Sequence, residues 1–220
     1  MNSFLINPYD SIGKLHNDGL DYVVTNLSTS TVPLIDDVIR LAAEFGCRQL
    51  RADHSYSISE LYEMRKIASM AIINLNDIKT LYTEANLNQQ QIVLLEKLLC
   101  INPYIKIDGQ EERYKQLEAE VFAYPISFKE KEPLLMASAV GKYSGKYWNT
   151  AYSDVSSPWQ HWFPRIDDPR TPLGRKKWAD EDAKGAVVTF LSTVLIGGVV
   201  TIVTVTVGSI AASVASLLFD

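Results

Sequence analysis

The apolar positions of the chain fall at helical spacing almost throughout. Between Pro8 and Leu27 the inward candidates Ile12, Leu15, Gly19, Tyr22 and Val23 keep steps of three and four, with Asp10 placed as N-cap. A second helix is expected from near Thr31, with Pro33 in its first turn and Gly46 as terminator. Ser57 and Glu60 form an S-x-x-E capping box. After it Leu61, Met64, Ala68, Ala71, Leu75, Ile78, Tyr82 and Ala85 repeat as heptads, which predicts one long helix of roughly 40 Å lying along a partner. Asn88 caps a helix through Cys100 that turns Ile92, Leu95, Leu98 and Leu99 inward, and Asn102-Pro103 ends it. Helices from Gln110 to Phe122 and from Pro133 to Tyr152 follow, the second behind another box, Ser127 and Glu130. The expected fold is all-α, with a helical bundle over residues 1–152.

Beyond that bundle the pattern changes twice. Residues 153–178 read as a linker or collar broken by Pro158, Pro164, Pro169 and Pro172. All four tryptophans, Trp148, Trp159, Trp162 and Trp178, lie in or beside it. They fit an interfacial aromatic belt beside a membrane segment, and equally a small aromatic core under the loop. Residues 179–220 read as a C-terminal, apolar, membrane-inserting helix. From Gly185 to Phe219 the chain has 35 consecutive uncharged residues. A spanning helix needs about 20, so one full span plus an interfacial or re-entrant remainder is expected. Along this run Thr189, Thr193, Gly197, Thr201, Thr204, Gly208, Ala212 and Ala215 recur at steps of three and four. They mark one face of small and hydroxyl residues, which is read as a helix-packing stripe through which copies associate in a membrane. Gly141 and Gly145, four apart, are expected at a close helix crossing.

Charge sharpens this division. Of the 47 charged residues only Asp220 follows Lys184. Residues 1–184 carry 21 basic and 25 acidic side chains, a balance of −4 with no long basic stripe, so nucleic acid is not an expected partner. Arg165, Arg170, Arg175, Lys176, Lys177 and Lys184 precede the apolar run, which keeps the body cytosolic by the positive-inside bias. Asp180, Glu181 and Asp182 read as residues of a helix first turn. The start MNSFLINPYD lacks a secretory signal. Cytoplasmic synthesis is therefore expected, followed by membrane association through the C-terminal segment, with release or export by a non-classical route. Cys47 and Cys100 have no ligand spacing and read as small core residues.

Candidate chemistry is sparse. His16 has Asp10, Asp18 and Asp21 nearby in sequence, but Asp10 and Asp21 do not share its helical face, so it reads as a hydrogen-bonded structural histidine. His54 and His161 stand alone, and GKYSGKYW from Gly141 lacks the spacing of a phosphate loop. No catalytic, cofactor-binding or metal site is expected.

The segment NPYDSIGKLHNDGLDYV, from Asn7 to Val23, resembles the opening of a group of uncharacterised Bacteroidetes proteins. That group begins NPYDxxGxxHNxGLDY and often ends in a small-residue-rich apolar tail. The matching residues are Asn7, Pro8, Tyr9, Asp10, Gly13, His16, Asn17, Gly19, Leu20, Asp21 and Tyr22. The resemblance implies a bacterial source and bacteriocin-like membrane activity. Together these observations lead to an expected function: a non-enzymatic, membrane-inserting protein that forms homo-oligomers through its C-terminal helix, as a pore-forming or bacteriocin-like toxin. The alternative is a tail-anchored scaffold whose cytosolic body binds a protein partner. On either reading the tail must meet lipid or be hidden inside a soluble bundle, because an uncharged run of this length is not stable exposed to water.

Overall fold

The computed structural model describes residues 6–31, 33–50, 55–75, 77–99, 107–163, 171–195 and 200–219, with the side chains of 107–109 and 171–181 left aside. Among these residues the chain is all helix, without a strand. The elements are α1 (Asp10–Asn26), α2 (Ile35–Gln49), α3 (Ile58–Asn74), α4 (Ile78–Glu84), α5 (Gln89–Leu99), α6 (Ile107–Ala123), α7 (Phe128–Ser153), a 3₁₀ turn at Pro158–His161, α8 (Thr171–Leu195) and α9 (Ile202–Phe219).

Local sequence starts several of these helices. The Ser57 hydroxyl accepts from the Glu60 amide at 3.2 Å, while the Glu60 carboxylate accepts from the Ser57 amide at 2.7 Å. Ser127 and Glu130 repeat the arrangement at 3.3 and 2.8 Å. Asn88 accepts from the amides of Gln90 and Gln91. Each such cap satisfies amide donors that the first helical turn leaves unpaired and is worth about 1 kcal/mol.

Tertiary packing overrides other expectations. The heptad face after Ser57 does turn inward, burying Met64, Ala68, Ala71, Leu75 and Tyr82, yet it is carried by two helices. The long helix breaks after Asn74. Asp77 there sits outside helical geometry and accepts from the Thr80 hydroxyl at 2.7 Å, as short polar side chains do when they compete with helix continuation. Gly46 lies inside α2 instead of ending it. A Cβ at this position would run into Val207 of α9, so the glycine permits a close helix approach. Tyr9, not Asp10, is the N-cap of α1, and Asp10 is paired with Lys142 at 2.5 Å. The expectation for Gly141 and Gly145 agrees with the structure. A side chain at Gly141 would overlap Tyr114 of α6, and one at Gly145 would lie 2.9 Å from the Gln110 amide oxygen.

The core is built around α7, α8 and α9. Residues Pro133–Gly141 of α7 are buried without interruption, as are Thr204–Ser216 of α9. Helices α1, α2, α3 and α8 pack against α9, while α1, α5, α6 and α8 pack against α7. Helix α9 feeds both hydrophobic clusters. Val207, Ile210, Ala211 and Val214 join residues of α1, α2 and α3, whereas Val205 and Ala212 join those of α4 to α8. The described helical residues of 179–220 therefore belong to two helices of the common core, and α8 crosses the expected boundary between collar and tail.

The tryptophans answer to the aromatic-core reading where their side chains are described. Trp148 and Trp159 are 0% and 1% exposed and meet edge to face with ring centroids 5.0 Å apart. Phe163 joins Trp148 at 6.3 Å, and Trp162 is half-buried against the same cluster. Trp178 lies in α8 with its side chain outside the described set.

Close helix contact at α1 gives a direct test. A Cβ on Gly13 would strike the Ala139 carbonyl oxygen of α7 as well as the Tyr143 side chain, and a backbone atom cannot move aside. Gly13→Ala should lower stability by about 1–3 kcal/mol, as overpacking does, whereas Ser11→Ala on the exposed face should stay within about 0.5 kcal/mol. Urea-unfolding midpoints at constant slope measure the difference.

Candidate functional site

The described helices of the apolar run, the end of α8 and all of α9, form an antiparallel pair closely packed on each other. Small residues make that closeness possible. A side chain on Gly208 would overlap Thr189, and a Cβ on Gly185 would lie 2.7 Å from that of Ala212. Thr189, Thr193, Thr204, Ala212 and Ala215 are buried, and Thr201 is half-buried. Gly197 lies outside the described residues. The expected stripe is thus split between two helices, and its described core, Thr189, Gly208 and Ala212, lies at the α8–α9 contact within one chain.

The hydroxyls of these helices mostly serve their own backbone. Thr189 donates to the Gly185 carbonyl at 2.7 Å, Thr206 to Ile202 at 2.8 Å and Ser209 to Thr206 at 3.0 Å. Thr201 and Thr204, two members of the expected packing stripe, form a reciprocal cap at the start of α9: each hydroxyl accepts from the other's amide, at 3.1 and 2.8 Å. This internal satisfaction removes much of the cost of placing hydroxyls in an apolar medium.

At the foot of the charge-free arm is a buried polar node. Asp182 of α8 is 0% exposed. Its Oδ2 accepts from the Ser144 hydroxyl and, at 2.8 Å, from Trp148 Nε1, both on α7. His16 Nε2 of α1 lies 3.7 Å from the same oxygen, and Ser213 of α9 faces the carboxylate. Four helices therefore converge on one acid. Burial pushes the Asp182 carboxyl above the usual carboxylate range, against the opposing pull of His16, Ser144, Ser213 and Trp148. Serine, histidine and aspartate are all present, but Ser144 and His16 each address Asp182. In a nucleophilic triad the serine bonds to the histidine, and all three groups here are closed to solvent.

The N-terminal motif docks α1 onto this assembly. Asn7 Nδ2 donates to Glu118 Oε1 and to the Leu135 carbonyl, both at 2.8 Å. Tyr9 donates to Glu132 at 2.8 Å, and Asn17 donates to the Tyr143 carbonyl at 3.4 Å. Asp21 accepts from Tyr147 at 2.6 Å, whose oxygen in turn accepts from Trp159 Nε1 at 2.7 Å. Lys142 bridges Asp10 and Glu118; burial pulls its ammonium down, but the two carboxylates outweigh that and raise it. Gly19 lets α1 approach Ile210 and Phe45, and Leu20 is fully buried. Among the described residues no cluster of three or more His, Cys, Asp or Glu has the geometry of a metal site.

The sequence places Asp182 in a helix first turn, but α8 begins at Thr171 and Asp182 stands well inside it. The available signal was its register: it stands seven residues before Thr189, on the same helical face. His16 finds its carboxylate 166 positions away along the chain, beyond the reach of any local spacing rule.

The chain matches no protein-family model, no curated protein and no solved structure.

The node makes a pH prediction. Because the folded Asp182 carboxyl titrates above its unfolded value of about 3.9, the stability gained from its protonation is complete below that value. That contribution is lost as pH rises through the folded value. Asp182→Asn, which cannot ionise, should lose less stability than wild type between about pH 4 and pH 8. Urea midpoints across this range test it; parallel curves would show that Asp182 does not titrate with folding.

Proposed function

We propose that this protein is a membrane-inserting protein that carries its apolar hairpin inside a helical bundle. The observation that carries the reading is α9: 18 residues, mean hydropathy 2.1, 78% buried, and long and apolar enough to cross a membrane. At about 1.5 Å per residue it measures about 27 Å, close to the hydrocarbon thickness of a bilayer. A helix apolar on every face needs either a protein core or lipid around it. The amphipathic helices α1, α2 and α3 supply the core in water, and lipid would replace them after release. Its finer form is a pore-forming or bacteriocin-like assembly, in which the inserted hairpins of several copies meet along the face that α1, α2 and α3 cover in water. A simple tail anchor accords less well with the packing, since withdrawing α9 removes the centre of the body it would anchor.

Locking α9 to α2 tests this. A Cβ on Gly46 lies 3.5 Å from Val203 Cγ1, within reach of an engineered disulfide. In a Cys47→Ala, Cys100→Ser, Val207→Ala background, the last removing the methyl that a Cβ on Gly46 would strike, oxidised Gly46→Cys/Val203→Cys protein should fail to bind or permeabilise phospholipid vesicles, and reduction should restore both. Equal binding before and after reduction, or absence of vesicle binding by the wild-type chain, would overturn the proposal.

A further inference from the structure

The two ends of α9 differ in chemistry. At its start the chain is apolar and open to water: Val194 is 48% exposed, Leu195 39% and Ile202 37%. The sequence joining them, Ile-Gly-Gly-Val-Val-Thr from Ile196 to Thr201, adds no charge. Asn74 donates to Ser192 at 3.1 Å, which brings the end of α3 and the 74% exposed Ile73 to the same end of the molecule. A helix connection ordinarily carries polar turn residues, whereas this sequence has, besides its Gly-Gly pair and Thr201, only aliphatic ones. At the other end Phe219 is followed by the carboxylate of Asp220, and the groove beside it is lined by Thr29, Ser30, Thr31 and His161 as well as by apolar residues.

The arms that meet at the apolar end are unequal. Helix α9 is charge-free over its whole length, but α8 is charge-free only from Gly185 to Leu195, with Lys184 and Asp182 immediately before. Eleven residues of helix extend about 16 Å, roughly half of a 30 Å hydrocarbon core. If both arms crossed fully, Asp182 and Lys184 would lie deep in lipid, where ionised side chains are strongly disfavoured. If α9 crossed alone from its C-terminal end, Asp220 would have to cross with it.

We infer that the occupant of this apolar end is the phospholipid bilayer, and that the hairpin penetrates it tip first, led by Val194, Leu195 and Ile202, to the depth of one leaflet. This rests on the membrane-inserting reading above and narrows it: the first part of α9 enters beside Gly185–Leu195 of α8, and its C-terminal part, towards Phe219, stays on the headgroup side. Lys184 and Asp182 then reach the headgroup level as the tip reaches the bilayer midplane, and they set the depth. The partner is lipid and not a protein groove because the exposed side chains that lead, Val194, Leu195 and Ile202, are aliphatic and offer no charge to confer register, while the charge-free length of α8 matches a leaflet.

Two measurements separate this geometry from the parent reading. First, Leu195→Asp should reduce binding to vesicles of mixed zwitterionic and anionic phospholipid at least about tenfold, while Phe219→Asp stays within about twofold of wild type. Leu195 is partly exposed, so an unchanged thermal midpoint will show that the variant remains folded. Second, an environment-sensitive fluorophore is placed at Leu195→Cys or Phe219→Cys in the Cys47→Ala, Cys100→Ser background. The label at 195 should be quenched by lipids brominated near the midplane, and the label at 219 only by headgroup-level or aqueous quenchers. A midplane label at 219 with a water-exposed label at 195, or Phe219→Asp losing binding as Leu195→Asp does, would overturn tip-first insertion while leaving membrane insertion intact. Failure of the wild-type chain to bind the vesicles at all would overturn both.

Discussion

The structure depends on the enclosure of one helix that has no polar face. Helix α9 is buried from Thr204 to Ser216, and it contributes side chains to both hydrophobic clusters. Each fully buried valine or isoleucine on it contributes about 1.5–3 kcal/mol. Val205, Val207, Ile210 and Val214 together therefore match the net stability of an ordinary domain, about 5–15 kcal/mol. Helices α1, α2, α3 and α8 pack directly on it, and Gly19, Gly46 and Gly185 mark points where three of them need room to reach it.

The N-terminal motif acquires a physical meaning on this frame. Its residues are the points at which α1 is fixed to α6, α7, α8 and α9. Asn7 holds Glu118 and the α7 backbone, Gly13 and Gly19 admit close contact, His16 reaches Asp182, and Asp21 ties to the Tyr147–Trp159 pair. A helix attached by so many specific contacts covers α9 in a defined register. The Asp182 node sits beneath it, joining α1, α7, α8 and α9 through one carboxylate whose burial is relieved only by hydrogen bonds and the adjacent imidazole.

What was legible in the sequence was local or periodic. Ser57 and Ser127 announce their helices because a capping box needs only four consecutive residues, and the heptads from Leu61 to Tyr82 identify an inward face because helical period depends on nothing outside the segment. Gly141 and Gly145 were readable for the same reason. What was not legible depended on contacts between distant segments. Gly46 reads as a terminator until Val207 is placed against it, and Asp182 reads as a helix first-turn acid until α8 extends back to Thr171 and His16, Ser144 and Trp148 close around the carboxylate. The break at Asn74–Asp77 and the reciprocal cap at Thr201 and Thr204 show short polar side chains defeating a longer-range periodicity. The tryptophans sat between two readings because composition cannot say which apolar medium, protein or lipid, surrounds an indole.

The central claim is that α9 exchanges a protein environment for a lipid one. Hydrogen–deuterium exchange, read by mass spectrometry with and without phospholipid vesicles, addresses it most directly, because backbone protection follows each helix separately. In solution Thr204–Ser216 should be among the slowest segments to exchange. With saturating vesicles α9 should remain protected while α1, α2 and α3, which cover it in water, exchange faster. Unchanged protection across the bundle at saturating lipid would contradict the account and leave α9 as the core helix of a protein that never opens.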